Sequence, residues 1–195
     1  MNKKLFGAAL TTGLAIGLSC FLYVIILHLF GKHAFGQLKY LYWGIYGGLL
    51  GGGMWYFKDK LNNYVLRAQH GLLFGFITAS VSSTVFGLAL FTLLSFSSLG
   101  EDMRQVHITK LEELMEGMKP NLMKNEENED SNIIRWQNEE EYQAELAIVK
   151  DLSPKDLTID QAGGMMMFGL FASFLFMLIF KTGSPKPTFN EKARN

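Results

Sequence analysis

Long uncharged runs separated by short charged clusters set the pattern of this chain. The first run, Leu5 to Phe30, follows Lys3 and Lys4, and as a helix its 26 residues reach about 39 Å, enough to cross a bilayer. Its start also has the shape of a secretory leader ending at Gly17-Leu18-Ser19-Cys20. Gly17 stands where such a site wants a large aliphatic residue, and the apolar run continues through Phe21 to Leu27, so the segment is read as a retained anchor.

The second run, Leu38 to Phe57, is entered by Lys39 and closed by Lys58-Asp59-Lys60. Tyr40, Tyr42 and Trp43 lie near one end and Trp55 and Tyr56 near the other, the placement of amphipathic rings at two headgroup layers. The third run, Gly71 to Leu99, has no ionisable residue in 29 positions and exceeds the ~20 that a bilayer requires. The fourth, Ala162 to Phe180, is shorter and ends at Lys181. Its Met165, Met166 and Met167 point to different helix faces, so they read as flexible apolar filler and not as a soft-metal box.

Between the third and fourth runs the period changes. Val106 or His107, Leu111, Leu114, Met115, Met118 and Leu122 recur at helical spacing and predict an amphipathic helix that falters at Pro120. Asn125 to Ser131 is an acidic linker with no periodicity. Asn138 caps a second predicted helix, with Glu141 placed to reach back and Tyr142, Leu146 and Val149 on one face. Ser153-Pro154-Lys155-Asp156 repeats the start signal for a short helix leading into the fourth run.

These elements predict an all-α polytopic membrane protein with an amphipathic helical insert between its third and fourth spans. Residues 1–100 hold spans at about 5–30, 38–57 and 71–99. The insert covers 101–160, the fourth span 161–181, and a basic tail 182–195. The lipid bilayer is thus the first partner.

Charge sharpens this division. The formal net charge of zero hides 16 acidic against 7 basic residues between Glu101 and Asp160, and the opposite imbalance elsewhere. Of the basic residues in the short loops and tails, Lys3, Lys4, Lys58, Lys60, Arg67, Lys181, Lys186, Lys192 and Arg194 fall on one side of a four-span arrangement. Only Lys32 and Lys39 fall in the short loop opposite, which predicts cytoplasmic termini and an extracytoplasmic insert. An insert this acidic repels phosphate backbones and argues against nucleic acid. Cys20 is the single cysteine, so no intramolecular disulfide forms.

Small residues form the most specific spacing. Gly44, Gly48 and Gly52 recur every fourth position in the second span, and Gly71, Gly75, Ala79, Ser83 and Gly87 do so in the third. Such ladders let helices approach closely, so the second and third spans are expected to pack through them, with a second copy or a partner helix as the other use. Thr78, Ser80, Ser82, Ser83 and Thr84 either satisfy backbone carbonyls or line a polar track. No carboxylate lies at mid-membrane for proton coupling, and His28, near the end of the first span, is read as interfacial. His33, His70 and His107 are scattered with no metal-ligand spacing, and Gly51-Gly52-Gly53 lacks the Lys and Ser/Thr of a phosphate loop. The expectation is therefore no enzyme, no catalytic residue, no metal and no cofactor.

The order of parts resembles domain-of-unknown-function family 4199. The features that carry the likeness are a Gly- and aromatic-rich second span ending in Phe57-Lys58-Asp59-Lys60, the Gly71 to Gly75 entry into the third, and Leu152-Ser153-Pro154 before the fourth. The resemblance implies a bacterial inner-membrane protein and transfers no binding residues. A non-enzymatic accessory or interaction protein with an acidic cap is the favoured expectation. The alternative is a small-solute transporter or pore subunit working as an oligomer, because four helices without buried charge make a poor conduit alone.

Overall fold

The computed structural model describes residues 3–122 and 135–182. The described residues form six α-helices: α1 (Lys3–Leu29), α2 (Tyr40–Tyr56), α3 (Ala68–Phe96), α4 (Ser98–Leu122), α5 (Glu139–Lys150) and α6 (Pro154–Phe180). A 3₁₀ turn, Gln37–Lys39, precedes α2, and a π turn, Phe57–Leu61, extends it. The acidic linker from Asn125 to Ser131 and most of the basic tail lie outside the described residues.

Among the described residues three helices, α1, α3 and α6, are long and apolar enough to cross a membrane. At 17 residues, α2 is shorter than the other three. The third helix stops at Phe96 instead of running to Leu99, because Ser97 turns extended and starts α4. The Ser97 hydroxyl donates to Leu93 O at 2.7 Å and accepts from Gly100 N at 3.0 Å, satisfying groups on both sides of the break. Gly100 lies so close to the Leu93 carbonyl that a Cβ there would overlap backbone.

Chain starts follow the cap signals. Asn138 Oδ1 accepts from Glu141 N at 2.9 Å, and the Glu141 carboxylate reaches back to Gln137 N at 2.7 Å. Ser153 accepts from Asp156 N at 3.2 Å, with Pro154 in the first turn. The helix it starts does not end before the fourth span; the two are one continuous α6. Pro120 lies inside α4, two residues before its described end at Leu122.

The long helices pack around α3, and small residues set how closely. Towards α1, a Cβ on Gly13 would come within 2.8 Å of Val81 and one on Gly17 within 2.8 Å of Ser82 O. Towards α6, Cβ atoms on Gly71 and Gly87 would come within 2.7 Å of Met177 and 3.2 Å of Ala162, while one on Gly75 would overlap Ser173. The third-span ladder thus seats α6. The second and third spans do not pack through their glycines: α2 meets α3 through large rings, Tyr42 on Phe86 at 6.2 Å and Tyr46 Oη bonded to Ser82 Oγ at 3.2 Å.

On α2 the large side chains that are buried are Tyr42, Tyr46, Leu50 and Met54, at a four-residue spacing of their own, with Gly51 beside them. Tyr46 fits because Gly169 leaves room at its hydroxyl, and Trp43 stacks on Phe168 at 4.9 Å. Added Cβ atoms at Gly44, Gly48 and Gly52 would meet nothing within 4 Å. Of the five rings expected at the headgroup layers, Tyr40, Trp55 and Tyr56 are exposed, whereas Tyr42 is buried.

At the end of the bundle away from the insert, Thr182 clasps the α2–α3 connection. Its Oγ1 accepts from Leu66 N at 2.7 Å, and its own N donates to Leu66 O at 3.0 Å. Asn63 and Tyr64 take positive φ in this tight link.

Candidate functional site

The opposite end of the bundle carries α4 and α5 as a cap. Met115, Trp136, Tyr142 and Leu146 form a small separate core between these two helices. Trp136 donates from Nε1 to Glu145 at 2.6 Å and meets Tyr142 edge-on at 5.1 Å, so its polar atom is satisfied while its ring is buried. Arg135 also pairs with Glu145, holding that carboxyl below the usual carboxylate range. The predicted stripe on α4 divides: His107 and Met115 are buried, whereas Leu114 and Met118 are exposed.

Three polar joints fasten α4 to the bundle. Arg104 donates to Leu152 O at 2.8 Å while pairing with Glu101 at 2.7 Å, and this binds α4 to the start of α6. His28 Nε2 lies 3.0 Å from Asp102 Oδ2, which makes His28 a link between α1 and α4 and gives a direct partner to a residue read from sequence as interfacial. The third joint is His33 Nε2 to His107 Nδ1 at 2.9 Å, between residues 74 positions apart. Phe35 packs edge-on to the His107 ring at 5.4 Å.

A bond between two imidazole nitrogens needs one of them protonated and the other bare. The environment holds the pair in that condition. Burial pushes His107 down to about 4, with His33 and then Lys39 adding repulsion and Asp160 opposing it. His33 is lowered by burial first, then by Lys110 and Lys39. Both rings are therefore neutral near pH 7.

The pair forms part of the wall of a cavity of about 840 Å³ between the α1–α2 connection, α4 and the first turns of α6. Apolar wall comes from Phe35, Leu111, Leu114, Leu152 and Leu157. The charged groups in it are Lys39, Lys110, Glu113 and Asp160. Lys110 pairs with Glu113 at 2.5 Å, and Asp160 accepts from Gln161 at 2.6 Å. Lys39 lies 5.9 Å from the Tyr40 ring centre and has no carboxylate within ion-pair distance among the described residues. Among the described residues no three of His, Cys, Asp and Glu are grouped to hold a metal ion.

The residues singled out by spacing lie elsewhere. Gly71, Gly75, Ala79, Ser83 and Gly87 run along α3 inside the bundle, where Ser83 donates to Ala162 O at 2.7 Å. Thr78 donates to Ala9 O at 3.2 Å and Ser82 to Ala79 O at 3.1 Å, so these three hydroxyls of the cluster satisfy backbone carbonyls. Gly44, Gly48 and Gly52 form an open face on α2, away from the cavity. The His33–His107 pair had no signal in spacing, because it depends on α4 folding back over a loop 74 positions earlier.

No curated protein and no solved structure matches the chain. The family described as Protein of unknown function (DUF4199) matches residues 11–182, which takes in five of the helices whole and all but the first turns of α1. With most of its length matched, the chain belongs to that family, DUF4199.

Proposed function

We propose that this chain is a four-span protein of the bacterial inner membrane that works by binding and not by catalysis, as an accessory or interaction protein. Its termini lie in the cytoplasm and its α4–α5 cap, with the acidic segment 101–160, lies outside. Helix α2 counts as the fourth span because it continues through the π turn: 22 helical residues reach about 33 Å. The nine basic residues on the side of the termini against two in the first short loop support the orientation.

The observation that carries the binding role is the cavity of about 840 Å³ where the cap meets the bundle. It is concave, chiefly apolar, and within the ordinary size of a ligand site, roughly 300–1,000 Å³. Apart from Lys39, its charged and imidazole groups engage one another or a neighbouring amide, His33 with His107, Lys110 with Glu113 and Asp160 with Gln161, which suits recognition better than an acid–base or nucleophilic step. Exposed Ile148 on α5 adds an apolar spot to an otherwise charged cap surface.

Two measurements in cells test this reading together. Reporters active on one side of the membrane are fused near Asn63 and near Asn128, and photo-crosslinking side chains are placed at Ile148 on the cap and at Leu41 on α2. Support is an outside signal at Asn128 alone, with a discrete protein adduct at Ile148 and lipid at Leu41. A cytoplasmic signal at Asn128, or adducts of this chain only at Ile148, contradicts it.

A further inference from the structure

The cavity has a charge pattern that selects among ligands, and the inference rests on the binding reading above. Lys39 brings an ammonium with no carboxylate partner among the described residues to a cavity that also holds two neutral imidazoles. Lys110 is already matched by Glu113, and Asp160 is exposed, with its oxygen turned to the Gln161 amide. Both rings are lowered first by burial; Lys39 adds repulsion at each, and at His107 its effect exceeds the opposing one of Asp160.

The imidazole pair can also donate. If His33 Nε2–H donates to His107 Nδ1, the proton of His107 sits on Nε2, a ring nitrogen with no hydrogen-bond partner among the described residues. An anion in the cavity favours that tautomer, since it accepts from His107 Nε2 and from the Lys39 ammonium together. Beside these groups Leu111, Leu114 and Leu157 offer a longer apolar wall. Leu38, Tyr40 and Leu41, all exposed, bracket Lys39 at the start of α2. The opening is thus beside the membrane boundary, where a molecule with one polar end and one alkyl chain is concentrated.

We propose that this cavity binds a single-chain anionic amphiphile, its head at Lys39 and His107 and its chain along Leu111, Leu114 and Leu157. An uncharged amphiphile satisfies the apolar wall and leaves the ammonium unmatched. A free anion does the reverse. Both components are needed, so each alone binds weakly.

The test uses the full chain in nanodiscs of neutral phosphatidylcholine, with dodecyl phosphate, dodecanol and inorganic phosphate as probes and calorimetry as the readout. The expected result is saturable binding of one dodecyl phosphate, with dodecanol and inorganic phosphate each weaker by about tenfold or more. Lys39→Gln weakens dodecyl phosphate by about tenfold while leaving dodecanol unchanged, the difference expected for one charge-assisted contact. Leu114→Glu, at an exposed position that does not support the fold, weakens dodecyl phosphate and dodecanol alike. Dodecanol binding as tightly as dodecyl phosphate, both blocked by Leu114→Glu, overturns the anionic class while leaving a binding cavity in place. Binding of no probe, or binding that neither substitution alters, overturns the site itself, whereas the topology and crosslinking results stand or fall independently.

Discussion

Two ladders of small residues with the same four-residue spacing have opposite fates in this protein. On α3, Gly71, Gly75 and Gly87 leave no space for a Cβ without displacing α6. On α2, Gly44, Gly48 and Gly52 have nothing within 4 Å. The difference lies on the other faces of the two helices. Helix α2 has Tyr42, Tyr46, Leu50 and Met54 to bury, and once these face the core the glycines are turned outward. Helix α3 is gripped on two sides, by α1 through Gly13 and Gly17 and by α6 through its own ladder, and it turns large side chains such as Leu72, Phe76 and Leu88 outward instead. Spacing shows that close approach is possible; which face is used depends on where the larger side chains go.

The comparison breaks most readily at Gly75. Gly75→Leu forces bulk into Ser173 and its backbone, and the expected loss is about 3 kcal/mol, read as a lower midpoint in denaturant unfolding from detergent micelles. A midpoint equal to the parent's would mean that α6 does not sit on this ladder. A smaller effect is expected where the obstacle is a ring tip. Gly169→Ala crowds the buried Tyr46 hydroxyl and costs about 1–2 kcal/mol, and Tyr46→Phe added to it recovers part of that loss, a non-additivity measured by a double-mutant cycle.

Acid probes the cap, away from both ladders. His107 is depressed to about 4 in the folded chain from an ordinary value of 6.5, so the unfolded state binds the proton more readily. The stabilisation is present above pH 6.5 and is lost as pH falls from there to about 4, by on the order of 1 kcal/mol once solvent screening is allowed for. Unfolding followed across that interval is expected to flatten in His107→Gln, while Gly75→Leu keeps the parent's pH slope. The smallest effect belongs to the open ladder. Gly48→Ala adds a Cβ that meets nothing within 4 Å and exchanges glycine for a better helix former, so its midpoint is expected within about 1 kcal/mol of the parent's, on the stabilising side. A large loss there would show that another helix covers the α2 face.

Much of the architecture was legible in the chain. Charge-free runs located α1, α3 and α6, and the caps at Asn138 and Ser153 placed the starts of α5 and α6 to the residue. The hydroxyls of α3 act as expected for polar groups among apolar helices, bonded to carbonyls. Joints made by tertiary folding left no trace in spacing. His28 with Asp102 and His33 with His107 depend on the reversal at Ser97, which Gly100 permits by its lack of a Cβ. The cavity arises from the same reversal, so its lining is spread over three distant segments. The end of α3 escapes a reading by hydropathy for a related reason, since Ser97-Ser98-Leu99 continues the uncharged run while the Ser97 hydroxyl caps the first turn of α4.

The placement of α3 at the centre, with its ladder against α6 and not against α2, is tested most directly by cysteine crosslinking in native membranes. With Cys20 replaced by Ser, one variant carries Gly87→Cys with Ala162→Cys, a pair whose Cβ atoms would stand 3.2 Å apart, near the usual disulfide separation of roughly 3.5–4.5 Å. A second carries Gly87→Cys with Gly48→Cys, which joins the two ladders. The account predicts that mild oxidant links the first pair within one chain and leaves the second unlinked. Crosslinking of 87 to 48 within one chain, with 87 and 162 remaining free, would contradict it.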